Sequence, residues 1–167
     1  MSQAVRTLCI RVMQEGDLTV VHRLEREAFR KAWTIDQLRS EQRQPFTTAM
    51  VAEEAGEVVG YYFSSDVAGE ASLNRIAVTK DKRHRGIGKA LLDSFLVQAQ
   101  YNGSQEAFLE VNASNQKAMA LYEQAGFRTV GRRRHYYAEE MADALIMRLA
   151  LWKEKETERS AHADLSH

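Results

Sequence analysis

Arg83-His84-Arg85-Gly86-Ile87-Gly88-Lys89-Ala90-Leu91-Leu92 joins a β-rich run, Ala71–Val78, to an amphipathic helix, and its reading decides the fold. From Gly88 to about Tyr101, Leu91, Leu92, Phe95, Leu96 and Ala99 form an apolar stripe at helical spacing. The turn therefore sits where a helix begins. The free N–H groups of a helix start carry partial positive charge and attract anions, and glycine lets the main chain approach oxygens that a Cβ would hold away. Lys80, Lys82, Arg83, Arg85 and Lys89 concentrate cations there. A multiply charged ligand such as a pyrophosphate is implied, against the competing reading of a solvated basic turn with a glycine cap. Gly-x-x-x-x-Gly-Lys-Ser/Thr is absent, so this is no P-loop, and Gly86-x-Gly88 lacks the third glycine of a dinucleotide fingerprint.

Working outward, Leu8–Val12 reads as a strand and Asp17 as the N-cap of a helix with apolar positions Val21, Leu24 and Ala28. Thr34 caps a second short helix, Ile35 to about Glu41, stopped by Pro45. Thr48–Glu53 and Val58–Ser64 flank Glu54-Ala55-Gly56-Glu57 as a hairpin. Beyond the central helix, Asn102-Gly103 supplies a left-handed cap and Ala107–Val111 a fifth strand. Ser114 or Asn115 opens a helix that runs to Ala125 and is ended by Gly126, and the strands Thr129–His135 and Ala144–Leu149 follow. The order β-α-α-β-β-β-α-β-α-β-β predicts an α/β fold in which a mixed sheet of about seven strands is flanked by four helices. Residues 1–152 read as a single domain and 153–167 as a charged tail without periodicity.

The 167 residues carry a net charge of zero, which gives no global argument for nucleic acid. Arg132-Arg133-Arg134 lie on a strand, where alternate side chains point to opposite sides, so they do not form one binding face. The single cysteine, Cys9, lies in the apolar run Leu8-Cys9-Ile10 and is expected to be buried. No internal disulfide is possible, which suits a reducing compartment. No stretch approaches the roughly 20 apolar residues of a membrane span, and no signal-peptide core is seen. The chain reads as soluble and cytoplasmic. His22, His84, His135, His162 and His167 show no ligand spacing with Cys or acids, so no metal is expected.

Glu110 ends the run Ala107-Phe108-Leu109 and stands near the end of a central strand, where ligands of α/β sheets gather. The next helix places Asn115, Met119 and Tyr122 on one face and Ala118, Leu121 and Ala125 on its neighbour. This arrangement predicts a cleft lined by Asn115 and Tyr122, with Ala118, Leu121 and Ala125 buried on the sheet. Glu70, at the start of the fourth strand, is a rival acid.

These segments resemble the Gcn5-related N-acetyltransferase (GNAT) superfamily, and most of all its ribosomal-protein-alanine N-acetyltransferase (RimI-type) branch. The resembling residues are Arg75-Ile76-Ala77-Val78 and Arg83-x-x-Gly86-x-Gly88-Lys89-Ala90-Leu91-Leu92, then Leu109-Glu110-Val111-x-Ala113-Ser114-Asn115 and Ala120-Leu121-Tyr122-Glu123-x-x-Gly126-Phe127. Arg133-Arg134-His135-Tyr136-Tyr137 and Asp143-Ala144-Leu145-Ile146-Met147 complete them. Asn112 stands where the branch often has arginine, and no proline precedes Trp33. The resemblance implies acetyl-CoA as cosubstrate and direct transfer to an amine, that of the N-terminus of an acceptor protein such as a ribosomal protein. It implies a pantetheine arm along Ile76, Ala77 and Val78, and a pyrophosphate on the amides of Arg83, His84, Arg85, Gly86, Ile87, Gly88 and Lys89. Asn115 would bond the pantetheine, with Glu110 as general base and Tyr122 as general acid. Phe29 and Trp33 would form one wall of the acceptor site and Tyr136 and Tyr137 the other. A small-amine or lysine acetyltransferase and a non-catalytic acetyl-CoA-binding module are the alternatives. Oligomeric state is not legible.

Overall fold

The structure, a computed structural model, describes residues 7–137 and 142–152. Its elements are β1 (Leu8–Val12), α1 (Leu18–Ala28), α2 (Ile35–Gln42), β2 (Thr47–Glu54), β3 (Glu57–Val67), β4 (Glu70–Val78), α3 (Ile87–Tyr101), β5 (Glu106–Asn112), α4 (Gln116–Gln124), β6 (Arg128–Tyr137) and β7 (Ala142–Ala150). The order is the expected one. The charged tail expected over 153–167 lies outside the described residues.

All seven strands form one sheet in the order β1-β2-β3-β4-β5-β7-β6. The β2–β3 hairpin turns on Ala55 and Gly56, both with positive φ, which matches the twist of the flanking strands. The β4–β5 ladder is the parallel one, and it is short. It pairs Glu70–Leu73 with Glu106–Leu109 and then stops. Arg75–Val78 remains paired with β3 alone, and Glu110–Asn112 with β7 alone. The sheet therefore splits open immediately beyond Leu73 and Leu109.

Two cores lie on the two faces. One packs Ile87, Leu91, Leu92, Phe95 and Ala99 of α3 with Tyr122 and Phe127 against Ala71, Leu73, Leu109, Val111 and Met147. The other packs Leu18, Val21 and Leu24 of α1 and Leu38 of α2 against Val51, Tyr61, Phe63 and Ala77. Burying each large side chain contributes about 2 kcal/mol, enough to seat the helices firmly on the sheet. At α2, Thr34 Oγ1 accepts from the Gln37 amide and Gln37 Oε1 accepts from the Thr34 amide, the reciprocal cap expected there.

Several local expectations are corrected. Cys9 is exposed. Leu8 and Ile10 pack toward the α3 core, so alternation turns Cys9 to the other face of an edge strand. Asp17 precedes α1, but its carboxylate does not cap it; it accepts from Arg11 (2.7 and 2.9 Å) and from the Gln14 amide. Ala28 is exposed, and the buried polar position of α1 is Glu25.

Candidate active site

A β-bulge shapes the opening. Phe63 of β3 pairs with Arg75 and Ser64 with Leu73, so Asn74 is the extra residue. The inserted residue inverts the alternation of β4, as bulges beside functional sites do. Ala71 and Leu73 point to the α3 core, whereas Arg75 and Ala77 point to the α1–α2 face. Ile76 and Val78 lie against the α3 core.

The basic turn lies at the far end of β4. Gly86 has φ +83° and serves as the N-cap of α3, and the first α3 bond runs from the Ala90 amide to the Gly86 carbonyl. The amides of Gly86, Ile87, Gly88 and Lys89 have no partner within the helix, which is the donor set an anion needs. Gly88 faces Leu121 of α4 and Val78, and an added Cβ would meet them in ordinary contact at 3.6 and 3.9 Å. His84 Nε2 lies 3.4 Å from the Lys117 amine of α4, and Arg85 is exposed beside it. Arg83 donates from Nε to the Val78 carbonyl, and Lys89 pairs with Asp93. The end of β4, the turn and α4 are thus brought together.

Glu110 is the first β5 residue beyond the last β4–β5 pair. Leu109 and Val111 face the α3 core, so Glu110 faces the other way, onto the part of the sheet that α1 and α2 leave uncovered. Its carboxylate meets Arg133 Nη2 of β6 at 3.1 Å, and the Arg133 guanidinium lies over the exposed Tyr136 ring at 5.4 Å. Glu70 sits at the opposite end of the short ladder, paired with Glu106. Four pairs at about 3.3 Å rise separate it from the split, so Glu110 is the acid beside the opening.

Tyr122 is buried on the α3 side, edge-on to Phe127 at 6.2 Å. Ala118, Leu121 and Ala125, expected to be the buried face of α4, are only half-buried. The larger ring fills the space under the helix instead. Burial pushes the phenol up to about 12. No buried side-chain oxygen among the described residues lacks a partner, and the Tyr122 hydroxyl has no hydrogen bond to protein, so it reaches solvent. Asn115 Oδ1 accepts from the Ala118 amide and caps α4, which leaves its Nδ2 to a ligand. Tyr137 lies in β6, paired with Ala142; its side chain lies outside the described residues.

Phe29 and Trp33 are half-buried between α1 and α2, with the Arg75 guanidinium carbon 4.0 Å from one ring centroid and 4.4 Å from the other. They pack on the α1–α2 face of the sheet, the face toward which Glu110 also points. Arg75, Glu25 and Arg133 carry site contacts that residue-by-residue reading missed. The available signal was a carboxylate, Glu25, four residues after Val21 on the apolar stripe of α1. A groove of about 580 Å³ lined by Met13, Gln42, Ala49 and Met50 lies elsewhere and contains none of these residues.

The split mixed sheet with a glycine-opened helix start at one end of the split is the arrangement that the resemblance to acyltransferases implies. The chain belongs to the Acetyltransferase (GNAT) family, whose match covers residues 18–127. It is similar to the [ribosomal protein bS18]-alanine N-acetyltransferase of Escherichia coli strain K12, with 31% identity over 83% of this chain and 95% of that one. An N-alpha-acetyltransferase of Sulfurisphaera tokodaii is 39% identical over 58% of this chain and 65% of that one. The crystal structure of the Escherichia coli ribosomal-protein-S18-alanine N-acetyltransferase superposes with a TM-score of 0.82 at 30% identity, covering 90% of this chain and 97% of that one. The chain is an N-acetyltransferase of the GNAT type. Among the described residues no helix is long and apolar enough to cross a membrane, and no group of three His, Cys, Asp or Glu gathers as metal ligands would.

Proposed function

We propose that this enzyme transfers the acetyl group of acetyl-CoA to the N-terminal α-amine of a protein, with an alanine-initiated ribosomal protein as the acceptor class. The observation that carries the reading is the position of Glu110, one residue past the end of the β4–β5 ladder, with its carboxylate turned away from the α3 core and 3.1 Å from Arg133, whose guanidinium lies over Tyr136. The likeness to the Escherichia coli bS18-alanine enzyme over most of both chains supports the choice of acceptor.

The donor supplies an activated thioester. Amides Gly86 to Lys89, with Arg83, His84 and Arg85, hold its phosphates; the edge of β4 from Ile76 to Val78, freed by the split, and Asn115 Nδ2 hold the arm between. A peptide α-amine has a pKa near 8 and is mostly protonated at neutral pH. Glu110, through water, takes that proton, and the amine attacks the carbonyl carbon as the N–C bond forms and the C–S bond breaks. Main-chain N–H groups near Val78 steady the oxyanion. Tyr122 donates to the leaving sulfur. With a phenol near 12 and a thiol near 8.5, complete proton transfer is uphill, so Tyr122 contributes chiefly a hydrogen bond to developing negative charge.

A panel of peptides with free and blocked N-termini, assayed beside polyamines, tests the acceptor. Free alanine-initiated peptides are expected to be turned over. Activity retained on a blocked peptide with an internal lysine defeats the α-amine reading.

A further inference from the structure

We infer that Glu25 and Arg75 are positioning residues for the acceptor, fixing Phe29 and Trp33 as one rigid wall of the cleft; this deepens the proposed function and rests on it. Glu25 is fully buried in α1, and a carboxylate reaches that state only when paired. Both oxygens are satisfied: Oε2 accepts from the Tyr61 hydroxyl at 2.9 Å and Oε1 from Arg75 Nε at 2.7 Å. Arg75 Nη2 then donates to the Lys31 carbonyl at 3.2 Å, tying down the middle of the segment between α1 and α2. Its guanidinium carbon lies 4.0 Å from the Phe29 ring centroid and 4.4 Å from that of Trp33, and the Trp33 ring rests on Phe63 at 6.0 Å.

Four features converge on Arg75, and together its contacts suit a planar fork rather than a point charge. The bulge at Asn74 aims it at this face, and Glu25 supplies its counter-charge. Lys31 supplies an acceptor from the loop, and the two rings supply faces. A buried ion pair stabilises a fold no better than a well-packed apolar pair of the same volume, so packing does not account for it. Orientation does. The pair also has no net charge, so the wall does not repel an incoming ammonium as a lone arginine would. Arg75 stands two residues beyond the last β4–β5 pair on β4, so the wall is anchored to one of the two edges that define the opening, and Glu110 stands one residue beyond that pair on the other.

The test compares Arg75→Lys with the wild-type full chain, using an alanine-initiated peptide and acetyl-CoA. The peptide KM is expected to rise roughly ten- to a hundredfold, with the acetyl-CoA KM changed less than twofold and faster hydrogen exchange at the amides of residues 30–33. Glu25→Gln, which keeps an oxygen for Arg75, is expected to fall between the two. Trp33→Leu, which leaves the ion pair intact, is expected to reproduce the KM split and decides the matter if Arg75→Lys does not fold. An unchanged peptide KM with unchanged exchange overturns the inference, as does an equal rise in both KM values. If the wild-type chain accepts only a non-peptide amine, the α-amine reading fails, and the same split measured with that amine still decides the role of Arg75.

Discussion

Arg133 reaches across β7 from β6 to place Nη2 3.1 Å from the Glu110 carboxylate, so the acid beside the opening is already engaged by a cation. The two side chains are 52% and 34% exposed, and pairs so open to solvent are worth about 0.2–1 kcal/mol. On the proposed function, an acceptor ammonium has to displace that contact. Arg133→Met is therefore expected to lower the acceptor KM by roughly two- to fivefold at low salt, with the difference vanishing as salt rises. KM measured against ionic strength checks this, and a higher KM would instead assign Arg133 to holding the acceptor.

Glu110→Gln keeps the shape of the site and removes the proposed base. Turnover is expected to fall by about 10²–10⁴-fold, with coenzyme A affinity by calorimetry unchanged. Full activity in this variant would move the base elsewhere.

The Tyr122 phenol, raised by burial to about 12, stays protonated throughout the working range. No basic limb from this group is expected below about pH 11, and Tyr122→Phe is expected to lower kcat without moving the pH profile. The sign of its effect on stability follows. The folded chain holds this proton more tightly than the unfolded chain, so its contribution is fully present below about pH 10 and is lost as pH climbs toward 12. Thermal melts between pH 9 and 12 on the wild type and Tyr122→Phe measure it.

Gly60 of β3 lets α3 settle onto the sheet. An added Cβ would lie 3.0 Å from both the Ala77 carbonyl and Leu91 Cδ1, and 3.5 Å from Ile87 at the start of α3. Gly60→Ala is expected to cost about 1–3 kcal/mol, and to weaken coenzyme A binding, because Ile87 belongs to the basic turn. Denaturant melts and calorimetry check the two effects together.

The basic turn and the strand–helix order were legible because their signals are local: glycines, clustered cations and periodic apolar residues within one short span. The faces of individual side chains were less so. One inserted residue, Asn74, reverses β4, and no spacing rule reads a bulge that forms only against β3. Cys9 follows its neighbours in composition but opposes them in direction. Glu25 sits on an apolar stripe because its partners, Tyr61 and Arg75, arrive from strands 36 and 50 residues away. Tyr122 was expected to line a cleft, but its burial depends on the volume left beneath α4, which sequence does not state.

Four residue pairs between β4 and β5 are all that join β1–β4 to β5–β7 within the sheet. That makes the junction the shortest ladder of the sheet, and a donor bound along it as proposed would act as a staple across two half-sheets. Coenzyme A at a hundred times its dissociation constant stabilises the folded chain by about 2.7 kcal/mol, and slowed amide exchange should concentrate along this seam. A gap that admits the donor in this way would make the empty enzyme easier to unzip than the loaded one.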